Sequence, residues 1–120
     1  MKKEFMEALL MSKQDCEMMV NIFSFRKGEC FKSCQIIGKA AITKQEYGIG
    51  LEIRDRECQD AMVKIGYPTL KNIKIMELED VILTFIYETI RIEVMIRGGD
   101  VIDGEKGYYD ACADIFPLHT

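Results

Sequence analysis

The strictest pattern in this sequence is the alternation of apolar and charged residues between positions 89 and 97. An aliphatic residue occupies every second position, and these are Ile90, Ile92, Val94 and Ile96. The residues between and after them are charged or Met, and the charged ones are Arg91, Glu93 and Arg97. Successive side chains of a β-strand point to opposite faces. The pattern therefore predicts a strand with its aliphatic face inward and Arg91 and Glu93 in water.

Other segments predict further strands. Residues 48–54 and 71–75 alternate in the same way. Residues 81–87 are apolar on both faces and rich in β-branched and aromatic side chains, which favours a buried strand over the alternative, a helix across residues 77–89. Residues 108–116 alternate again and predict a last strand.

The N-terminal part follows a different period. Apolar residues recur three or four positions apart throughout residues 2–23, which predicts helix. Ser12 and Asp15 have the spacing of a capping box, so a second helix beginning near Ser12 is an open alternative to a single one.

These elements predict one domain over residues 1–120, with a helical segment at 2–23 and a mainly β body at 30–116. The class is mainly β (α+β), a small antiparallel β-barrel or rolled sheet with an N-terminal helix. An apolar content of 48% with only 2 prolines is enough to fold without disulfides.

Composition also restricts partners and compartment. The 20 acidic residues outnumber the 16 basic ones, so the net charge of −4 repels phosphate and argues against general nucleic-acid binding. The 5 cysteines form an odd set that we expect to stay reduced, which indicates the cytoplasm. No apolar run approaches the roughly 20 residues of a membrane-spanning helix, and the N-terminus lacks a signal-peptide pattern, so we expect no membrane insertion.

Nothing in the sequence predicts catalysis. It has no glycine-rich phosphate loop and no nucleophile elbow, and its only histidine, His119, is next to the last residue. The spacing between Cys30 and Cys34 is not that of a zinc site. We therefore expect a protein that is not an enzyme and that needs no metal or cofactor.

Two sets of residues are candidates for binding. The first is a group of adaptable apolar side chains that could dock on a partner protein, although core packing explains them as well. Its members are Met6, Leu10, Met18 and Met19.

The second set lies in residues 22–45, where five cations face a single anion, Glu29. A cluster of this kind could bind an anionic ligand, and the alternative is a solvated face with scattered lysines. The candidate ligand-binding residues are Arg26, Lys27, Lys32, Lys44, Gly48 and Gly50.

The order of predicted strands resembles a known family. A glycine-tagged strand at residues 48–53 is followed by two long strands within residues 81–97 and by a closing strand at 108–116 that ends in Phe. This layout is similar to the PilZ domain, a small β-barrel of bacterial signalling that commonly binds cyclic di-GMP.

The nucleotide-binding motifs of that family are incomplete here. Of its Arg-x-x-x-Arg motif the chain keeps Arg26 and has Cys30 at the second arginine position, and of its later motif it keeps only Gly48. Lysines cannot replace the planar fork with which arginine grips phosphate. The resemblance thus implies a degenerate member that has weakened or lost nucleotide binding and works through protein contacts.

We therefore predict a non-enzymatic regulatory or adaptor module that binds a protein partner or itself. One alternative is a receptor for an anionic nucleotide such as cyclic di-GMP. Another is a phage or toxin-associated inhibitor, in which a small acidic domain blocks a basic surface.

Overall fold

A computed structural model describes residues 2–55, 59–77 and 80–96 of the chain. This part contains one helix and seven strands. In chain order they are α1 (Lys2–Met11), β1 (Glu17–Arg26), β2 (Glu29–Gln45), β3 (Gly48–Arg54), β4 (Asp60–Gly66), β5 (Asn72–Glu77), β6 (Val81–Ile86) and β7 (Ile90–Ile96). The helix is too short to cross a membrane.

The strands form a single antiparallel sheet in the order β4-β3-β2-β1-β7-β6-β5. Strands that follow one another in the chain pair as hairpins, except for β4 and β5, which do not pair with each other. In addition, β1 pairs with β7. Of the two predicted alternatives, the rolled sheet is confirmed and the closed barrel is wrong, because in the described part β4 and β5 remain unpaired edges.

Curvature brings the two ends of the sheet near each other. Strand β2 alone has 17 residues, which would span roughly 55 Å if straight, whereas the longest dimension of the molecule is 36 Å. The hydroxyl of Tyr87, just after β6, donates a hydrogen bond of 2.8 Å to the carbonyl of Gly66 at the end of β4. The roll is therefore tied together at one end by a side chain rather than by strand pairing.

The concave inner face of the roll carries the hydrophobic core. Each strand contributes alternate aliphatic or aromatic residues to it, and the fully buried ones include Val20, Leu51, Ile65, Ile75, Leu83, Phe85 and Val94. Helix α1 packs Met6, Leu9 and Leu10 into the same core. A sheet rolled to this degree leaves an apolar interior that one amphipathic helix can cover.

The N-terminal prediction is correct only for its first half. The helix ends at Met11, and the segment predicted to continue or restart it is strand β1 instead. Ser12 does not begin a helix, because its hydroxyl donates to the carbonyl of Leu9, 2.6 Å away, at the end of α1. Asp15 then turns the chain with a positive φ of 62°. Pairing of β1 with both β2 and β7 outweighs the weak helical period of its sequence.

The other strand predictions are confirmed for residues 48–54, for most of 71–75 and for 81–87, where a helix was the alternative. The predicted strand at 108–116 lies outside the described residues. Strand β7 is confirmed as well, and Ile92, Val94 and Ile96 face the core as predicted, but the exposure of two residues at its start differs from the prediction. Ile90 is 41% exposed, and Arg91, which was expected in water, is only 6% exposed.

Candidate functional site

The outer face of the sheet, opposite the core, has an ordered chemistry. Strand register places its side chains in three rows that run across β5, β6, β7, β1 and β2. The polar row is Lys74, Thr84, Glu93, Asn21 and Gln35. The apolar row is Met76, Ile82, Met95, Met19 and Ile37. The mixed row is Asn72, Ile86, Arg91, Phe23 and Lys32.

Hydrogen bonds link one half of the polar row. The amide of Asn21 donates to Glu93 Oε1 at 3.2 Å, and Gln35 donates to Asn21 Oδ1 at 2.9 Å. Asn21 is only 3% exposed, so these bonds supply partners that water cannot. Glu93 is therefore held on the β1 side of the row.

The other half of the polar row borders a cavity of about 220 Å³, which we call the outer-face cavity. The β1–β2 hairpin forms one wall, and β5, β6 and β7 form the other. Its apolar lining residues are Phe23, Phe25, Met76 and Ile82. Its polar lining residues are Cys30, Lys74, Thr84, Arg91 and Glu93.

Lys74 is the unusual member of this lining. It is 7% exposed, yet within the described residues its ammonium has no hydrogen-bond or ion-pair partner. Buried charges are normally paired, because removing them from water without compensation is unfavourable. The outer-face cavity is thus bordered by a positive charge that no described residue neutralises.

Arg91 adds a second cation to the same cavity. Its guanidinium lies over the ring of Phe25, 4.4 Å from the centroid, which is close enough for a cation–π interaction. Burial lowers the pKa of Arg91, and the nearby Cys30 opposes this shift. At the same end, Lys32 Nζ lies 5.9 Å from the centroid of Phe23, so the basic hairpin extends the positive region beyond the cavity.

Arg26 and Lys27, the first two predicted ligand-binding residues, lie elsewhere. Lys27 and Gly28 form the two-residue turn of the β1–β2 hairpin, with positive φ angles of 51° and 80°. Arg26 and Lys27 line a separate open cleft of about 530 Å³, the hairpin cleft. The other residues of that cleft are Ser24, Glu29, Phe31 and Ser33.

The predicted ligand-binding set is not assembled into one site. Lys32 and Lys44 are separated by most of β2, roughly 40 Å along the strand. Lys44 Nζ lies 3.6 Å from Glu7 Oε1, so it neutralises a buried carboxylate of α1. The proposed grouping of Lys44 with Arg26 and Lys27 is therefore wrong, because β2 carries them to opposite ends.

Gly48 and Gly50 belong to the far end of β2 as well. A Cβ at Gly48 would collide with the backbone carbonyl of Ile65, and one at Gly50 would lie 2.7 Å from Gln45 Nε2. At Gly48 the small size is required for the close approach of the neighbouring backbone, whereas at Gly50 the end of the Gln45 side chain could move aside. Neither glycine lies near the cations of the hairpin.

Three of the four predicted partner-binding residues are inaccessible. Met6, Leu10 and Met18 are buried in the core, which makes the prediction of a methionine-rich docking surface wrong for them. Met19 points the other way and joins the apolar row of the outer face. The reason is that residue 18 and residue 19 lie on opposite faces of a strand, not on one face of a helix.

A different surface is open to a partner. The side of β2 that faces away from β1 is paired with β3 only over residues 39–45. No described strand pairs with it over residues 29–37, which we call the free edge. Ala40 donates its N–H to the residue preceding β1. Because backbone groups alternate in direction, those of Gln35 and Ile37 point to the free edge.

Sequence reasoning missed Lys74 as a site residue and placed Arg91 in solvent. Lys74 lies between two inward-facing isoleucines, so alternation does indicate that it points away from the core. Nothing in the sequence shows that the outer face is walled at this point by the β1–β2 hairpin. Among residues 2–55, 59–77 and 80–96, no three His, Cys, Asp or Glu side chains are grouped so as to hold a metal.

Comparison with known proteins yields no relative. No protein-family model, no curated protein and no solved structure matches this chain. Functional proposals for it therefore rest on its own residues.

Proposed function

We propose that this chain is a non-enzymatic adaptor module that binds an extended segment of a partner protein along the free edge of β2. The observation that carries the proposal is the absence of any described strand beside residues 29–37. An unpaired strand edge presents a row of N–H and C=O groups that an incoming strand can satisfy.

The described surroundings of the free edge leave room for such a strand. A groove of about 510 Å³ runs beside its inner half, between residues 35–37 and the start of β4. Phe31 and Ile37 are exposed at 51% and 41%, so apolar side chains flank the backbone groups. Alternate side chains of a bound segment would contact these two residues, and these contacts would give selectivity.

Charge selects the kind of partner. Arg26, Lys27 and Lys32 are all exposed near the outer end of the free edge. A segment with acidic residues beside Lys32 is attracted by these cations. We therefore infer a partner segment that is acidic at this end, and a complex that weakens as salt rises.

Proline substitution tests the free edge directly. Ile37→Pro removes an N–H that points to the free edge and leaves the β1–β2 hydrogen bonds in place, since proline is tolerated on unpaired edges. Ile37→Thr is the matched control, because it keeps the N–H and a β-branched side chain. We expect affinity capture to recover a partner with wild type and Ile37→Thr and to lose it with Ile37→Pro.

Hydrogen exchange makes the outcome independent of partner identity. In the isolated chain the amides of Gln35 and Ile37 should exchange quickly while that of Ile36 is protected by β1. Binding of the captured partner should slow the first two. The proposal is overturned if Ile37→Pro captures the same partner as wild type, or if the Ile37 amide is already protected in the isolated chain.

A second candidate is a receptor for an anionic nucleotide, an activity common in the PilZ family that the order of predicted strands resembles. The observation in its favour is that Arg26 and Lys27 share the hairpin cleft, whose volume lies in the range of small-molecule sites. Calorimetric titration with cyclic di-GMP tests it. Binding should be abolished by Arg26→Ala and unchanged by Lys64→Ala, an exposed lysine of β4, and a flat titration of wild type removes this ligand.

A further inference from the structure

We propose that the outer-face cavity binds a small amphipathic carboxylate, which pairs with the buried ammonium of Lys74 while its apolar part packs on Phe23, Met76 and Ile82. This site is separate from the free edge and does not depend on the function proposed for it.

The charge argument begins at Lys74. The residue is 7% exposed, lines the cavity and has no partner among the described residues. Glu93 is the acidic residue of the lining, but its strand lies two strands away from that of Lys74, which separates their backbones by about 10 Å. Glu93 also accepts a hydrogen bond from Asn21. An anion from solution would satisfy the ammonium that Glu93 leaves unpaired.

The valence of the ligand follows from the same lining. Two cations, Lys74 and Arg91, and one carboxylate, Glu93, border the cavity, so its formal charge is about one positive unit. A monoanion balances this charge, whereas a phosphate dianion would exceed it and would face repulsion from Glu93. A carboxylate therefore fits better than a phosphate monoester.

The remaining walls set the body of the ligand. Phe23, Met76 and Ile82 present an aromatic ring, a thioether and a branched aliphatic chain. Apolar surface of this kind favours an aliphatic or aromatic group, and Met adapts to either. The volume of about 220 Å³ is below the roughly 300–1,000 Å³ typical of drug-sized ligands, so a nucleotide does not fit.

The experiment is an NMR titration of the full chain with benzoate, hexanoate and the neutral isostere benzamide. We expect both carboxylates to shift the backbone amides of Met76 and Thr84, and benzamide to bind about tenfold more weakly or worse. Lys74→Met keeps the apolar stem and removes the charge. It should weaken benzoate binding by about tenfold or more, while Lys64→Met on β4 should leave it within about twofold.

Each outcome decides the proposal. No carboxylate-dependent shift in wild type at millimolar concentration overturns it, as does equal binding of benzoate and benzamide or unchanged binding by Lys74→Met. If Lys74→Met does not fold, the comparison of benzoate with benzamide on wild type decides alone. The Ile37→Pro variant should bind benzoate as wild type does, so that failure of the free edge and failure of this cavity can be told apart.

Discussion

The two faces of the rolled sheet are built from the same strands and have different chemistry. On β6, Leu83 and Phe85 point inward and are fully buried among aliphatic side chains, whereas Thr84 between them points outward into the polar row. The inner face is held by close packing and needs no specific partner atoms. The outer face buries Asn21, Lys74 and Arg91, and each of these requires particular partners. Stability is therefore concentrated on the inner face, whereas the outer face depends on specific polar contacts.

The test with the largest expected effect compares two adjacent residues of β6. Phe85→Ala should lower the free energy of unfolding by about 3–5 kcal/mol, because it empties a fully buried site in the core. Thr84→Ala should cost less than about 1 kcal/mol. Urea denaturation measures both, and similar losses for the two variants would contradict the division between the faces.

The next test is on the outer face itself. Asn21→Ala should cost about 1–3 kcal/mol, because it removes a buried amide that bonds both Glu93 and Gln35. Gln35→Ala, at an exposed position, should cost less. A double-mutant cycle between Asn21 and Gln35, read by chemical denaturation, should give a coupling energy, and simple additivity would show that the polar row is not a connected unit.

A third test concerns the place where α1 covers the inner face. The hydroxyl of Tyr67 donates to Glu7 Oε2, and burial, reinforced by Glu7, raises the pKa of this phenol above its ordinary value of 10.0. The contribution of the Tyr67 hydroxyl to the free energy of unfolding is complete below pH 10. It is lost as pH rises further, because the Tyr67 hydroxyl of the unfolded chain then loses a proton that the folded chain keeps.

Tyr67→Phe should therefore cost about 1–2 kcal/mol at neutral pH and progressively less above pH 10. Urea denaturation of both proteins between neutral and alkaline pH measures the difference. Tyr47→Phe is a useful control, because Tyr47 is an exposed tyrosine. A wild-type advantage that stays constant with pH would contradict the linkage to Tyr67.

The smallest expected effect concerns the backbone of the hairpin turn, which belongs to neither face of the sheet. It serves as a reference for the side-chain effects above. Lys27 adopts a positive φ of 51° before Gly28 in the hairpin turn, a conformation that asparagine tolerates better than lysine. Lys27→Asn should raise the free energy of unfolding by about 0.5–1 kcal/mol. Arg26→Asn, which lies outside the positive-φ positions, should give no gain in the free energy of unfolding. Thermal melts measure both variants, and equal melting temperatures would show that the turn is not strained at Lys27.

Some elements could be read from the sequence because a local period reports burial directly. Alternation at residues 48–54 and 90–96 identified β3 and β7, and the continuous apolar run of β6 was correctly taken as a strand. The period failed over residues 12–23. There the apolar spacing of Cys16, Met19, Val20 and Phe23 suits a helix, and only the two strands that flank β1 decide otherwise.

The candidate sites were less predictable than the strands. Basic residues that are near in sequence, such as Lys32 and Lys44, lie at opposite ends of one long strand, so their clustering in the chain did not produce a cluster in space. Lys74 and Arg91 are 17 positions apart and share a cavity only because β5, β6 and β7 pair in register. Residue spacing cannot report such a meeting, since register depends on long-range contacts.

Local sequence patterns were enough to predict the class of fold, the helix at the N-terminus and the inner-face residues of the clearest strands. These depend on local periodicity and on the free energy of burying apolar side chains, both of which are written along the chain. Only the tertiary structure shows which of the two predicted alternatives applies, where β2 has its free edge, and that Lys74 and Arg91 are buried. Each of these features arises where segments distant in sequence meet. Among the described residues, it is the geometry of these segments, not their composition, that leaves an edge unpaired or a charge without a partner.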